Sequence, residues 1–266
     1  MKNLIFPMAI LFISCQNSTP TNLKQEIPFQ QIDISQIYLK NCSQCHGTER
    51  TGISAPALIP ETISKFKQDE LVQIILHGRQ ATQMPGFENK MTENEIAQLA
   101  KYLTIPTKNT IQWTETEIEQ SRKIEDLSIL KKPVFSADPW NLFFVVSHGD
   151  HGLTILDGDH FTVLKTFNMR PGIHGGIKYT NDGRRAFAMT RDGWLTAFDV
   201  YGMKIIGEIR LAINTRNIAI SEDGKTLVAA NVYSQNLAFV NIADLKVQKV
   251  ITLDGLPSTI YTAFGR

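Results

Sequence analysis

The chain has 266 residues, long enough for two domains, and its 42% hydrophobic and 20% charged residues make an ordinary globular balance. A formal net charge of +1 gives no electrostatic ground for binding nucleic acid or an anionic membrane patch. No run reaches the roughly 18 apolar residues that a membrane-spanning helix needs.

The N-terminus reads as an export signal. Lys2 supplies the positive charge, and Leu4 to Ile13 form an apolar core too short to span a bilayer. The core ends in FISC, where a small residue before a cysteine resembles a bacterial lipoprotein cleavage box. Residues 1–15 are therefore expected as a lipoprotein signal peptide, with Cys15 lipidated as the first mature residue. Residues 16–31, rich in Gln, Asn, Ser, Thr and Pro, are expected as a flexible tether.

Residues 32–106 carry the string CSQCHG, Cys42 to Gly47. C-x-x-C-H is the signal for covalent c-type haem attachment. The two thiols add across the vinyl groups of haem, and His46, next in the chain, offers a neutral imidazole to the iron. A thioredoxin-like pair does not require the following histidine, and a zinc site would require a second cysteine pair. Attachment outside the cytoplasm agrees with the export signal.

Ile34, Ile37 and Tyr38 fall at helical spacing and predict a helix leading into the motif. GTERTGISAPALIP follows as a turn-rich loop. Leu71, Ile74 and Ile75 place one apolar face on a helix over Asp69 to Leu76, stopped by Gly78. Thr92 and Glu95 form a capping box, Ile96, Leu99, Ala100 and Leu103 the stripe behind it, and Pro106 the end. The loop GRQATQMPGFENK lies between these helices. Its Met84-Pro85-Gly86 resembles the methionine loop of Class I cytochromes c, so Met84 is the favoured sixth iron ligand. His77 is the rival, and an open position is the third reading; Met91, at a helix start, is less suited.

Residues 107–140, polar and with a charged helical stretch over Glu115 to Leu127, read as an interdomain linker. From Asn141 the pattern changes to short strands and turns, and it repeats. TNDGRRAFAM recurs as SEDGKTLVAA, with Asp182-Gly183 and Asp223-Gly224 41 residues apart. Asp157, Asp199 and Asn241 succeed one another at intervals of 42. Such a period with alternating β patterns is the mark of a propeller. In the middle repeat the strands are expected at Ile177–Tyr179, Arg185–Thr190, Trp194–Asp199 and Lys204–Arg210. Residues 141–266 hold only two to three blades, where propellers typically close with about four to eight. An incomplete propeller is expected, either truncated, which is favoured, or completed by a partner.

CSQCHG, QMPGF, AQLAKYL, NLFFVVSHGDHGLTILDGD and GIHGGIKYTNDGRRAFAMTRDGWLTAFDV, in this order, resemble cytochrome cd1 nitrite reductase and its close relatives from about Ile37 to Pro257. The resemblance implies a multidomain chain, α then all-β: a Class I cytochrome c domain followed by a haem d1 propeller, eight-bladed in the family. There the first domain carries electrons. The propeller binds a second, non-covalent haem d1, on which nitrite takes one electron and two protons to give nitric oxide and water. His174 falls at the haem d1 iron ligand, flanked by Gly172, Gly175 and Gly176, whose bare backbones would admit a cofactor closely. Arg191 and Arg216 match arginines near the haem d1 carboxylates, which guanidinium groups bind bidentately. His148 stands where the reductase commonly has an arginine. The family's distal histidines belong to later blades, so no catalytic residue is named.

The implied function is electron transfer within a nitrite reductase. The alternatives are a haem d1 maturation dehydrogenase of the same architecture, or a non-enzymatic tethered cytochrome whose propeller docks a partner. Implied partners are a small electron-donor protein of cytochrome c or cupredoxin type, a membrane reached through the lipid anchor, and a second copy if the propeller is complete; no nucleic acid is expected. The implied location is the bacterial cell envelope, on a membrane facing the periplasm.

Overall fold

The structure, a computed structural model, describes residues 33–80, 82–107, 113–147, 149–174 and 176–262. The expected signal peptide, tether and Cys15 lie outside the described residues, as does His148. No helix among the described residues is long and apolar enough to cross a membrane.

The first part is helical. Helix α1 (Ile34–Asn41) starts at Asp33, whose carboxylate accepts the Ser35 and Gln36 N–H groups left over by the first turn. Helix α2 (Ser43–His46) carries the end of the haem motif. Helix α3 (Pro60–Ile63) opens on a proline, where no N–H is needed. Helix α4 (Gln68–His77) matches the expected amphipathic stretch. In α5 (Glu93–Leu103) the Thr92 hydroxyl accepts the Glu95 N–H at 3.2 Å and the Glu95 carboxylate accepts the Thr92 N–H at 2.7 Å. The α5 stripe of Ile96, Leu99, Ala100 and Leu103 packs against Tyr38 of α1 and Leu71 and Ile75 of α4. Each fully buried aliphatic side chain there contributes about 1.5–3 kcal/mol.

The rest is antiparallel sheet, preceded by α6 (Glu115–Ser121) and a short strand β1 (Lys123–Ile124). Strands β2 (Leu142–Ser147), β3 (Gly152–Asp157) and β4 (Val163–Asn168) make the first blade. The second is β5 (Lys178–Tyr179), β6 (Arg185–Met189), β7 (Trp194–Asp199) and β8 (Lys204–Arg210). The third is β9 (Thr215–Ile220), β10 (Thr226–Asn231), β11 (Asn236–Asn241) and β12 (Val247–Thr252). Within each blade every strand pairs with its sequence neighbours, as in a propeller.

The repeat has a chemical basis. In the second blade the Thr180 hydroxyl donates to Asp182 at 2.6 Å and Asp182 accepts the Arg184 N–H at 3.1 Å. One repeat later Ser221 donates to Asp223 at 2.6 Å and Asp223 accepts the Lys225 N–H at 3.1 Å. The side chains satisfy the turn's polar groups locally.

The stretch read as a linker is built into the sheet part. Helix α6 stops at Ser121 rather than near Leu127, because β1 leaves to pair with the outer edge of β8, Lys123 opposite Glu208 and Ile124 opposite Gly207. That edge otherwise presents unpaired backbone groups. Ile118 is fully buried among Ile206, Ile209 and Leu227 of two blades. The Trp113 indole donates to the Arg210 carbonyl at 3.0 Å, and the Leu130 N–H donates to Asp199 at 3.1 Å.

Candidate haem-binding sites

The first site sits where α1 gives way to α2. Cys42 is half-buried and Cys45 exposed, both as free thiols. Burial and the neighbouring Cys45 push the Cys42 thiol up to about 11. His46 is only 8% exposed, and its Nδ1 lies 2.7 Å from the Pro56 carbonyl oxygen. A carbonyl can only accept, so Nδ1 carries the hydrogen and the Nε2 lone pair is left for a metal. Burial lowers the His46 pKa, against the opposing pull of Pro56, and favours the neutral ring. The loop is held to the motif by backbone bonds: the Ile53 and Ala55 N–H groups each reach the Cys45 carbonyl at 3.1 Å, and the Gly52 N–H reaches that of His46 at 2.8 Å.

Two supports of this loop were not foreseen. The Tyr38 hydroxyl donates to the Gly47 carbonyl at 2.7 Å. Arg50 is 3% exposed, and its guanidinium donates to the carbonyls of Tyr102, Leu103 and Ile105 at the end of α5. An arginine in a turn-rich loop carries no local sign of burial.

Met84 is half-buried in the loop after α4. The Arg79 N–H donates to the Met84 carbonyl at 3.1 Å, and the Phe87 N–H reaches Leu76 at 2.9 Å. The chain crosses so closely over Gly78, whose φ is +73°, that a Cβ there would lie 2.5 Å from the Met84 oxygen. His77 is 57% exposed with its Nδ1 3.5 Å from Glu88, and Met91 is buried in the helical core. Of the candidates, Met84 alone combines partial burial with freedom from the core and from an ion pair. Two unblocked thiols, an imidazole with Nε2 unprotonated and a loop thioether fit a c-type haem.

The second region centres on residues 172–174. The His174 N–H donates to the Met189 carbonyl at 2.7 Å, and the Arg191 N–H to that of Gly172 at 2.9 Å. Ile173 bridges Thr190, and the Thr215 N–H reaches the Arg191 carbonyl at 3.2 Å. Three chain segments bearing His174, Arg191 and Arg216 are thus laced together. Burial, and then the charge of Arg216, pull the Arg191 guanidinium below its usual value. Among the described residues neither arginine makes an ion pair with a carboxylate. Nearby Arg170 is satisfied, holding Glu208 through two bonds of 3.0 and 2.8 Å and stacking 3.8 Å over Trp194. Arg191 and Arg216, on segments joined by the Thr215–Arg191 backbone bond and without a carboxylate ion pair among the described residues, suit an incoming dianion.

A family model described as "Cytochrome D1 heme domain" matches residues 137–260, and one described as "Cytochrome C oxidase, cbb3-type, subunit III" matches residues 31–103. The chain is 41% identical over 217 residues to a dihydro-heme d1 dehydrogenase of Pseudomonas aeruginosa, a match covering 81% of this chain and 44% of that protein. It is 35% identical over 74 residues to cytochrome c55X of Stutzerimonas stutzeri, covering 28% of this chain and 66% of that one. The solved structure "Dihydro-heme d1 dehydrogenase NirN in complex with DHE" is 38% identical and superposes with a TM-score of 0.68, over 86% of this chain and 51% of that chain. The chain spans about half the length of these dehydrogenase relatives. It joins a helical cytochrome c domain to a sheet-rich, propeller-like haem d1-type domain. The similarity lies with the dehydrogenase among the expected functions rather than with nitrite reduction.

Proposed function

We propose that this chain, a cytochrome c domain joined to part of a haem d1-type domain, takes electrons from a dihydro-haem d1 substrate and passes them outward through haem c. The observation that carries this reading is the unneutralised Arg191–Arg216 pair on segments laced to His174. The dehydrogenase relatives, one of them solved with DHE, supply the substrate class.

In this proposal His174 gives an axial nitrogen to the substrate's iron, and Arg191 and Arg216 bind its carboxylates. Dehydrogenation removes two hydrogens from the substrate, as two electrons and two protons, the protons passing to solvent. A haem held by Cys42, Cys45, His46 and Met84 would supply one-electron redox chemistry there. The first electron must therefore leave to an external one-electron acceptor before the second arrives. A small protein of cytochrome c or cupredoxin type suits that role. His46, oriented by Pro56, and Met84 hold the carrier. The chain works outside the cytoplasm, anchored through Cys15.

The test uses the exported protein with haem c attached. Titration with dihydro-haem d1, followed by absorption, should show binding that weakens with salt. Arg191→Gln and Arg216→Gln should each weaken it about ten- to a hundredfold, since a hydrogen bond to a charged group is worth about 1.5–3 kcal/mol. His174→Ala should remove the axial spectrum. Absence of binding would sink the proposal. Conversion of nitrite to nitric oxide by the haem d1-loaded protein would return it to the reductase reading.

A further inference from the structure

Gly172 was expected to leave room for a cofactor. In the structure that room is taken by the cytochrome domain. A Cβ on Gly172 would lie 3.1 Å from the Ile53 carbonyl oxygen, 3.3 Å from the Ser54 Cα and 3.4 Å from the Ser54 oxygen. All three are main-chain atoms, which cannot rotate aside. Gly172 is also buried and has φ of +80°, so its backbone conformation disfavours a side chain independently.

The contact joins two segments already tied to the candidate sites. On one side the Ile53 and Ala55 N–H groups donate to the carbonyl of Cys45, a haem-attaching residue. On the other, Gly172 lies two residues before His174, whose N–H is held by Met189.

We propose that Gly172 is a positioning residue that seats the haem c attachment loop on the His174 loop, and that this backbone contact is the electron route between the two sites. The proposal rests on the function given above. The route runs from Cys45 through one hydrogen bond to Ile53, across the close approach of Ile53 and Ser54 to Gly172, and along the chain to His174. Bonded and hydrogen-bonded links couple redox groups better than open gaps do, so lifting the loop by even part of an ångström weakens the route at its one non-bonded step. The route would carry each electron from the substrate toward the group held at Cys42 and Cys45, and from there to the external one-electron acceptor.

The test compares Gly172→Val and the milder Gly172→Ala with Gly224→Ala. Gly224 has a similar φ of +65° and no heavy atom within 4 Å of its added Cβ, so it reports backbone strain without a domain contact. Hydrogen exchange on the haem c-loaded chain should rise at residues 52–58 in both Gly172 variants and stay unchanged there in Gly224→Ala. Stopped-flow reduction of haem c at saturating dihydro-haem d1 should slow severalfold in the Gly172 variants, with the haem c potential unchanged. Unaltered exchange at residues 52–58 in Gly172→Val would overturn the contact, whether or not substrate binds. Raised exchange with an unaltered rate would overturn the route. Lost affinity in place of a lost rate would return Gly172 to the cofactor pocket. Failure of the unmutated protein to bind dihydro-haem d1 would sink the functional proposal and the route with it, while exchange still decides the contact.

Discussion

Replacing Arg50 by Met tests whether a buried cation props the haem attachment loop. The substitution keeps the apolar stem and removes the guanidinium. That group donates at 3.0 Å to Tyr102, 3.0 Å to Leu103 and 2.6 Å to Ile105, and lies 4.9 Å from the Tyr102 ring centroid. The last carbonyls of a helix have no helical partner and form the negative end of its dipole, so a cation there is doubly favoured. A hydrogen bond to a charged group is worth about 1.5–3 kcal/mol, but the three bonds share one charge whose desolvation also disappears; a net loss of about 3 kcal/mol follows. The Arg50 carbonyl accepts the Leu58 N–H at 2.8 Å, so the loop should loosen with it. Urea unfolding of the haem c-loaded protein, followed by circular dichroism and haem absorbance, should show a lower midpoint at unchanged slope. Arg50 also has φ of +62°. Left-handed backbone costs a non-glycine residue about 1–2 kcal/mol, so Arg50→Gly should be no less stable than Arg50→Ala, against the usual order. Stability of Arg50→Met within about 0.5 kcal/mol of the unmutated protein would refute the reasoning.

Met84→His should lower the haem c potential and Met84→Ala should open the sixth position, whereas His77→Ala should change neither; redox titration with spectra decides, and the reverse pattern would make His77 the ligand. Ile118→Ala should destabilise the sheet part by about 2–5 kcal/mol, because Ile118 is 1% exposed among apolar side chains of two blades. Stability equal to the unmutated protein would show that α6 contributes nothing to that core. His160 has its pKa raised by its hydrogen bond to Asp157, from an ordinary 6.5, and Asp157 has its pKa lowered by the same bond, from 3.8. The histidine's contribution is full below 6.5 and fades as pH rises through its raised value; the aspartate's is full above 3.8 and fades as pH falls through its lowered value. His160 is largely exposed while Asp157 is buried, and solvent screening at the histidine keeps the effect small. His160→Gln should flatten the alkaline decline of the unfolding midpoint, and parallel profiles would rule the pair out.

What was readable in the chain was chemistry closed within a turn or two. CSQCHG could be read as a haem-attachment motif because the thiols and imidazole such attachment needs are near neighbours in sequence. Thr92 with Glu95, and Asp182 and Asp223 with their hydroxyl partners, bond over two to three residues, so the helix start and the blade repeat could be read directly. The strand boundaries of the second blade followed, to within a residue, from the Asp-Gly turns that bracket them and from the repeat. The linker reading went differently. Ile118 is one apolar residue in a charged helix, and only two blades meeting around it make it core. Likewise β1 exists because the edge of β8 is there to take it.

The sequence by itself determined the covalent haem motif, its flanking helices and the repeating blades, since these depend on spacing between neighbours. Only the tertiary structure decided that Arg50 is buried, that Gly172 yields its space to Ile53 and Ser54, and that a backbone bond brings the Arg191 and Arg216 segments together. Each of those outcomes depends on which remote segment arrives at the residue, and burial, close approach and charge proximity come into being only on that arrival.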